Sequence, residues 1–490
     1  MENALTRFLG RALGRAGGRL LLRSVVVAAA ALAAGCASGG GRAALPANAS
    51  TYGVAQADDH YVYFRFNPDD KSKTLQDSDE TVAILLDTDG DGATGYARPE
   101  KPFVGMGFDL EVQFSPLNAS GGAPGHGVAF FKLDRAGHRT EIERDQTDFV
   151  FTPSYAAEWY DARMSRLFAK SSGLPAKGMA SRGEARGVYV VYSRAGAIVG
   201  YSERFGWEFP QIASGPLLAD SPIPAKSGDA VRFVAWNVWG KMQETPAKFC
   251  AVLRPIDPDV VMFAEWKGDA AALEQILNQY LPGKPWHAAT GPDVAIASRD
   301  GVSPAGPRDL EIAWNGEKRK VRFVSASVST RLGQVLVGEM HLKCCGGAGS
   351  SEDTLRIAEA DAINQGLRQI SRADASDMVV IGGDLNLVGT RTPLDVLRMG
   401  LDGGADLENS EPVVLGDSLL YTWRDWTTGF SPGRLDWLSF TGSTLRPTTQ
   451  FVFDPARLSD SALSKAGLMR ATGQPSDHLP VVVELRGVRK

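Results

Sequence analysis

Short apolar runs that each end in polar residues recur through the second half of the chain. Four of them have the length and β-branched content of buried strands: residues 231–236, 260–264, 335–338 and 378–381. Polar residues that follow buried strands collect at a sheet edge. A helix is predicted over Ser351–Ile370, where Leu355, Ala358, Ala362 and Leu367 lie on one face. The pattern therefore predicts an α/β domain with a polar site at one edge.

Six polar motifs follow or lie near these runs. They are Trp236–Gly240, Phe263–Trp266, Glu339–Leu342, Gly382–Asn386, Gly433–Trp437 and Ser476–His478. Carboxylate and amide oxygens suit a hard cation such as Mg²⁺, and histidines suit proton transfer and phosphate contact. Any one motif has a structural explanation, such as a cap or a core histidine. Six in one chain indicate a metal-dependent phosphoesterase site.

This ordered set resembles the endonuclease/exonuclease/phosphatase superfamily, over about Asp229–Leu485. The resemblance implies a domain at 229–487 with two packed mixed β-sheets flanked by helices in four layers. It implies a hydrolase of phosphoric esters that uses Mg²⁺ or Mn²⁺. Nucleases, sphingomyelinases and phosphatases belong to this superfamily, so the substrate is nucleic acid or a small phosphodiester.

The resemblance also assigns roles to individual residues. The implied metal-binding residues are Asn237, Glu265 and Asp477, and the implied catalytic residues are His341, Asp384, Asn386, Asp436 and His478. Asp384 would orient or deprotonate the attacking water, and Asn386 would contact the phosphoryl oxygens. His341 would contact the phosphate, while Asp436 would hold the tautomer of His478 and raise its pKa. In the strand Asp293–Arg299 we expect no catalytic residue.

The first half of the chain has a different, alternating pattern. Strand-like runs separated by Asx- and Gly-rich turns predict a mainly antiparallel β-sandwich at 51–214, followed by a linker at 215–228. The runs near residues 58–63 and 86–96 are similar to family-9 carbohydrate-binding or DOMON-like modules, which implies a glycan ligand. Asp87, Asp89 and Asp91 open like a calcium loop, but Arg98 stands where an EF-hand needs an acid. The turn either binds Ca²⁺ or is a plain Asp/Gly turn.

The N-terminus predicts export. Five arginines between positions 7 and 23 precede an apolar run at 25–34 that is too short to span a bilayer. The run ends in Ala34-Gly35-Cys36, which resembles a lipoprotein cleavage site, although the preceding leucine lies one place early. We therefore expect a signal peptide at 1–35, lipidation of Cys36, a flexible tether at 36–50, and attachment to the bacterial cell envelope, at the outer membrane. Cleavage without lipid, giving a secreted protein, is the alternative.

Charge limits the choice of partner. Loss of residues 1–35 removes five arginines and one glutamate, so the formal charge falls from −5 to about −9. An acidic chain is not suited to tight, non-specific binding of nucleic acid through phosphate neutralisation. A nuclease with a bound cation stays compatible with this charge.

Three further features leave alternatives open. Cys344 and Cys345 have a metal or redox role, or one pairs with Cys250, or both are buried thiols. Trp423, Trp426 and Phe430 are a stacking platform or core residues. The chain as a whole is an exported phosphodiesterase or nuclease, a sphingomyelinase- or phosphatase-type enzyme, or a surface lipoprotein with a glycan-binding sandwich and a degenerate second domain.

Overall fold

The computed structural model describes residues 54–68, 72–117, 124–168, 183–210, 212–306, 309–374 and 377–488. All of them belong to one compact unit. Cys36, the predicted signal peptide and the predicted tether lie outside the described residues. No helix in the described part of the chain is long and apolar enough to cross a bilayer.

The N-terminal β-sandwich, residues 54–210, is built from thirteen antiparallel strands. The strands are β1 (Val54–Ala57), β2 (Tyr61–Phe66), β3 (Thr81–Asp87), β4 (Tyr96–Ala97), β5 (Gly107–Phe108), β6 (Leu110–Phe114), β7 (Val128–Leu133), β8 (Arg139–Ile142), β9 (Val150–Thr152), β10 (Tyr160–Ser165), β11 (Gly183–Tyr192), β12 (Ile198–Tyr201) and β13 (Phe205–Phe209), with one short helix, α1 (Arg144–Thr147). One main sheet has the order β1-β2-β10-β9 and the other β12-β11-β3-β6-β7-β8, with β13 on β11, while β4 and β5 pair in a separate two-stranded sheet. This confirms the predicted β-rich first half.

Aromatic side chains fill the space between these two sheets. Phe66 stacks on Tyr160 and Tyr189 at ring distances of 5.7 and 5.2 Å, and the alternation of β2 and β3 directs such residues inward. Among the described residues of this sandwich, Tyr201 is the one aromatic side chain that is largely exposed. The sandwich therefore presents no exposed aromatic strip in its described part, and the glycan-binding hypothesis gains no support.

The described part of the C-terminal α/β sandwich, residues 231–487, has fourteen strands: twelve form two six-stranded mixed sheets, and the pair at 311–314 and 317–320 forms a separate two-stranded sheet. The strands are β14 (Val231–Asn237), β15 (Val260–Ala264), β16 (His287–Gly291), β17 (Val294–Ser298), β18 (Val302–Pro304), β19 (Glu311–Trp314), β20 (Glu317–Lys320), β21 (Phe323–Thr330), β22 (Gly333–His341), β23 (Val379–Asp384), β24 (Glu408–Asn409), β25 (Asp436–Phe440), β26 (Leu445–Val452) and β27 (Val481–Gly487). Their orders are β16-β17-β15-β14-β27-β26 and β18-β21-β22-β23-β25-β24. The β14–β15 and β22–β23 pairs are parallel.

Helices cover the outer face of each sheet. They are α2 (Pro246–Ile256), α3 (Ala270–Tyr280), α4 (Ser351–Asp374), α5 (Thr392–Arg398) and α6 (Asp460–Lys465), with 3₁₀ turns at Pro455–Arg457 and Arg470–Thr472. Phe249 and Leu273 join the core outside the first sheet, and Leu367 and Leu394 join the core outside the second. A third core fills the space between the sheets. These four layers confirm the predicted fold class, and α4 confirms the predicted helix.

The segment 212–228 connects the two sandwiches without regular secondary structure, and it is anchored at several points. The backbone N–H of Leu217 donates to the Tyr61 hydroxyl at 2.9 Å, and that of Ala219 donates to the carbonyl of Arg457 at 2.8 Å. The segment therefore contacts both sandwiches. The predicted domain boundaries themselves stay predictions.

Candidate active site

Strand register brings three of the predicted residues side by side. His341 on β22 is opposite Asp384 on β23, and Asp384 is opposite Asp436 on β25. In the other sheet, Asn237 ends β14 and Glu265 follows β15. Because the ends of β14, β15, β22 and β23 meet at one edge of the sandwich, residues distant in sequence share one site.

Gly383 makes the close approach of β22 and β23 possible. Its φ is +135°, and a Cβ atom there would lie 1.9 Å from the carbonyl oxygen of Met340. No side chain fits this space. Gly383 therefore lets β23 come close to the neighbouring strand β22.

Asp384 lies between the two histidines. Its Oδ2 atom is 3.6 Å from Nε2 of His341 and 3.7 Å from Nε2 of His478. All three side chains are almost fully buried, with 5% or less of each residue exposed. The two imidazoles therefore direct their Nε2 atoms toward the same small volume, which is the geometry needed to hold an anionic group from two sides.

Asp436 holds His478 in this orientation. Oδ2 of Asp436 lies 2.7 Å from Nδ1 of His478, as the sequence analysis predicted. Burial alone would lower the pKa of His478, but the carboxylates of Asp436 and Asp384 outweigh it and raise the pKa to about 10. His478 is therefore a proton donor at neutral pH.

Asp293, which no sequence motif indicated, holds His341 in the same manner. Oδ2 of Asp293 lies 2.9 Å from Nδ1 of His341. Burial opposes ionisation of Asp293, but hydrogen bonds from His341 and Lys267 lower its pKa to about 2. Arg322 also reaches the ring of His341, at 2.9 Å. In the Asp293–Arg299 strand, where no catalytic residue was expected, Asp293 thus completes a second His–Asp dyad as the partner of His341.

Asn237 links the two carboxylates that suit a cation. Its Nδ2 atom donates to Oε1 of Glu265 at 3.1 Å and to Oδ2 of Asp384 at 3.0 Å. Two like charges are thus held near one amide at a partly exposed position, and a divalent cation binds such oxygen-rich groups readily. Asp384, Asp436 and His478 also have ligand atoms within 4.8 Å of one another, but two of these three already form a hydrogen-bonded dyad. Glu265 and Asp384, both bonded to the amide of Asn237, are a second group of oxygen donors beside these three residues.

Several site residues adopt a backbone conformation that is uncommon for side chains other than glycine. Glu265, Asp293 and Asn386 have φ angles of 57°, 65° and 47°. Such conformations cost ~1–3 kcal/mol each and occur at functional sites when the surrounding structure enforces them. The local chain is therefore shaped to direct these three side chains into the site.

Asn386 and Asp477 flank the cluster. The Asn386 side chain donates to the carbonyl of Leu342 at 3.2 Å, and its backbone N–H donates to Asp384 at 2.9 Å. Oδ2 of Asp477 accepts a hydrogen bond from the indole of Trp423 at 2.9 Å. Asp477 thus lies beside the cluster, and its predicted role as a metal ligand stays a prediction.

Glu339 lies beneath the site, fully buried and two residues before His341. Neither of its carboxyl oxygens has a hydrogen-bond partner among the described residues. Burial, together with the like charges of Asp436 and Asp384, raises the pKa of Glu339 well above its usual range. Both burial and the neighbouring carboxylates therefore favour the protonated form of Glu339.

These side chains open into a cavity of about 540 Å³. Trp423 and Phe430 line it, which favours the stacking interpretation for these two residues, whereas Trp426 does not line it. Cys344 and Cys345 also line it as free thiols 2.9 Å apart. Cys250 is a free thiol buried in the core, so the pairing alternative is wrong in this structure.

A second group of carboxylates lies in the N-terminal β-sandwich. Ligand atoms of Asp87, Asp89 and Asp109 lie within 4.8 Å of one another. Asp87 is fully buried, and its Oδ1 atom has no partner among the described residues. Asp109 thus takes the place that the calcium-loop interpretation gave to Asp91.

The fold and this site define the class of DNase I-like phosphoester hydrolases. Residues 234–478, half of the chain, match the Endonuclease/Exonuclease/phosphatase family, and the chain belongs to that family. Members of the family are hydrolases that act on phosphoester bonds. This match confirms the resemblance to the family that the motifs of the second half indicated.

Solved structures give more distant likenesses, and no curated protein matches the chain. Humanized D. rerio TDP2 is 16% identical, with a TM-score of 0.37, over 53% of this chain and 100% of its own. The human Nocturnin catalytic domain is 16% identical, with a TM-score of 0.38, over 54% of this chain and 97% of its own. Beta toxin from Staphylococcus aureus is 14% identical, with a TM-score of 0.35, over 52% and 99%.

Proposed function

We propose that this protein is a divalent-metal-dependent phosphodiesterase that hydrolyses a P–O bond with an activated water molecule. The observation that carries the proposal is the placement of His341 and His478 on either side of Asp384, each with its Nδ1 atom hydrogen-bonded to a carboxylate. Two oriented imidazoles can hold the oxygens of one phosphate group while Asp384 contacts the water that attacks it.

The side chains divide the work of the reaction. Asp384 orients the water and accepts its proton as the new P–O bond forms. Protonated His478 donates a hydrogen bond to a phosphoryl oxygen as negative charge develops, and Asp436 keeps its ring in place. His341 binds the phosphate from the other side. The ester bond breaks, the leaving alkoxide takes a proton from solvent as Asp384 returns the proton of the attacking water to solvent, and a phosphomonoester and a neutral alcohol leave.

We propose Mg²⁺ or Mn²⁺ as the cation, held by Glu265 and Asn237. Bound there, it would neutralise charge on a phosphate oxygen and so lower the barrier that like charges impose. The partly exposed position of Glu265, beside the buried Asn237 and Asp384, supports this assignment because a metal needs both protein ligands and access from solvent.

Hydrolysis assays of the purified full chain test the proposal. The panel is bis-p-nitrophenyl phosphate, plasmid DNA, RNA, sphingomyelin and an inositol phosphate, each with Mg²⁺, Mn²⁺ or excess EDTA. We expect cation-dependent hydrolysis of phosphodiesters, and a loss of at least ~100-fold in E265Q. E244Q, at an exposed glutamate paired with Lys241, is the matched control. Undiminished activity in EDTA, or no hydrolysis of any substrate, would overturn the proposal.

The panel also separates the alternative functions. Preference for sphingomyelin or an inositol phosphate would assign the protein to the sphingomyelinase or phosphatase type. A complete lack of activity would favour the lipoprotein with a degenerate second domain. The exposed surface of the sandwich does not favour that alternative, because its aromatic residues are mainly in the core.

We also propose that the protein is exported and tethered to the cell envelope through a lipid on Cys36. The arginine-rich start, the short apolar run and the Ala-Gly-Cys ending support this. Expression of C36S in the native host, followed by cell fractionation, tests it. Release of the variant into the soluble or secreted fraction is expected, and retention equal to that of the wild type would contradict it.

A further inference from the structure

Residues of the N-terminal β-sandwich line the catalytic cavity. Five of them do so, and we name them the sandwich wall: Thr74, Gln76, Asp77, His126 and Ser154. They come from loops next to β3, β7 and β9. The cavity that contains His341, Asp384 and His478 is therefore bounded by both halves of the chain.

Buried hydrogen bonds fix this wall to the loops that carry the site. The Gln76 side chain accepts from the backbone N–H of Ser431 at 2.7 Å. The Ser154 hydroxyl bonds to the carbonyls of Leu387 and Arg434 at 2.8 and 2.9 Å. Gln76, Ser154 and Ser431 are all buried, so these contacts belong to the folded core.

The loop after His341 is fixed in the same way. Thr74, also buried, accepts from the backbone N–H of Ala348 at 3.0 Å. The carbonyl of Gly389, just past Asn386, accepts from the backbone N–H of Ala156 at 2.8 Å. Three loops of the catalytic site, at 343–350, 387–389 and 429–434, are thus held by the first half of the chain.

Main chain meets main chain at the rim of the cavity. The N–H of Val128 donates to the carbonyl of Gly429 at 2.8 Å. A Cβ atom on Gly127 would lie 2.1 Å from that carbonyl oxygen, and the φ of Gly127 is +82°. Because glycine has no side chain, it allows the two main chains to come this close.

Buried ion pairs support the wall from behind. Arg457 lies 2.7 Å from Asp148, and Arg163 lies 2.8 Å from Asp417. Each pair joins one residue of the N-terminal β-sandwich to one residue of the C-terminal α/β sandwich. Loss of one member would leave a buried charge, so movement of the two sandwiches apart is costly.

The cavity lining combines polar and aromatic side chains. The sandwich wall is polar, and its most exposed groups are the paired Asp77 and His126, whose Oδ1 and Nδ1 atoms are 3.0 Å apart. Trp423 and Phe430 add aromatic side chains to the lining of the same cavity. A flat group with a hydrogen-bonding edge, such as a nucleobase, can contact both kinds of side chain at once.

We propose that the sandwich wall makes this enzyme specific for compact phosphodiesters of a nucleoside, and that His126, supported by Asp77, binds the polar edge of that nucleoside. The inference rests on the proposed phosphodiesterase function. The volume of about 540 Å³ lies within the ~300–1,000 Å³ that buries a small-molecule ligand. Because the wall encloses the site, the interior of a duplex is excluded from it.

Two histidine variants of the full chain test the role of His126. H126A removes the cavity histidine, and H138A removes the matched control, an exposed histidine 2.9 Å from Asp134 in the same sandwich that does not line the cavity. The substrates are thymidine 5′-p-nitrophenyl phosphate, which carries a nucleoside, and bis-p-nitrophenyl phosphate, which does not. H126Q, which retains a hydrogen-bonding side chain, tests for partial rescue.

The expected result is a rise of about tenfold in KM of H126A for the nucleoside substrate, the value of one hydrogen bond. The ratio of the KM for the nucleoside substrate to the KM for bis-p-nitrophenyl phosphate should therefore rise about tenfold in H126A. H138A should match the wild type on both substrates. Equal behaviour of H126A and H138A would overturn the role of His126.

Duplex exclusion has its own measurement. We expect phosphodiester turnover per enzyme on plasmid DNA to be at least ~100-fold slower than on the nucleoside substrate at equal phosphodiester concentration. Equal or faster turnover on plasmid would overturn the substrate assignment and leave the phosphodiesterase proposal standing. Failure on every substrate, including bis-p-nitrophenyl phosphate with Mg²⁺ or Mn²⁺, would instead overturn the proposed function on which the assignment rests.

Discussion

Nδ1 of His341 lies 2.9 Å from Oδ2 of Asp293, which gives the site a second His–Asp dyad opposite that of His478 and Asp436. The two residues are 48 positions apart. His341 ends strand β22 of one sheet, and Asp293 directly precedes strand β17 of the other. Asp293 therefore acts as a positioning residue that fixes the tautomer and the ring orientation of His341.

Asp293→Asn should lower kcat by ~10- to 100-fold, the range seen when a supporting carboxylate is removed. H341A should lose more, and the double variant should lose little beyond H341A, because the carboxylate acts only through the ring. Steady-state kinetics on bis-p-nitrophenyl phosphate give these values. Asp300→Asn, which removes an aspartate paired with Lys284, is the control. Losses that multiply in the double variant would show that Asp293 acts independently of His341.

His478→Ala should lower turnover by ~10²–10⁴ if His478 contacts the phosphate in the transition state. Asp436→Asn should reproduce most of that loss, and the double variant should be far from additive. The melting temperature, measured in parallel, should change much less than turnover does for H478A. A variant whose activity falls only in proportion to its unfolded fraction would argue for a structural role.

Glu339→Gln should make the protein more stable at alkaline pH. The folded-state pKa of Glu339 is raised, so its contribution to stability is present below the unfolded pKa of ~4.3 and is lost as pH rises toward the folded value. Gln has the same shape and no proton to lose. Urea unfolding at pH 4 and pH 8 should therefore give similar free energies for the two proteins at pH 4 and a higher one for E339Q at pH 8. A difference of the opposite sign would mean that Glu339 is ionised.

Calcium should stabilise the N-terminal β-sandwich through Asp87, Asp89 and Asp109. Burial raises the pKa of Asp87 to about 6, so its charge destabilises the fold above that pH unless a cation binds. At ~100 times Kd, a ligand adds ~2.7 kcal/mol to the free energy of unfolding. The melting temperature at pH 7 should therefore rise with Ca²⁺.

The matched variants separate binding from a general salt effect. D87N should melt higher than the wild type without calcium at pH 7 and should not respond to calcium. D91N changes an aspartate of the same turn that lies outside the cluster, and it should respond as the wild type does. Loss of the calcium response in D91N alone would assign the cation to the original loop pattern.

The sequence predicted the residues that follow strands, because strand periodicity and the end of an apolar run are local signals. Asp384 is an example, since it ends β23, and the register of β23 and β25 then pairs it with Asp436, the first residue of β25. His478, by contrast, lies in an irregular segment before β27. Only the family resemblance of its motif indicated that it belongs to the site.

Asp293 escaped prediction because nothing local marks it. It occupies a turn with φ of 65° before β17, and its partner His341 is on the other sheet. The sandwich wall escaped for the same reason, since Gln76 and Ser431 are 355 positions apart. Local patterns specify elements, whereas contacts of this separation depend on how the elements pack.

The close contact of Gly127 with Gly429 makes the shape of one half of the chain depend on the other. Any side chain at Gly127 would displace the segment that carries Phe430 and Ser431, two residues that line the cavity. An insertion in the turn before β7 would likewise change the shape of the cavity. Exchange of the first half for that of another protein would therefore rebuild one wall of the cavity rather than replace a separate appendage.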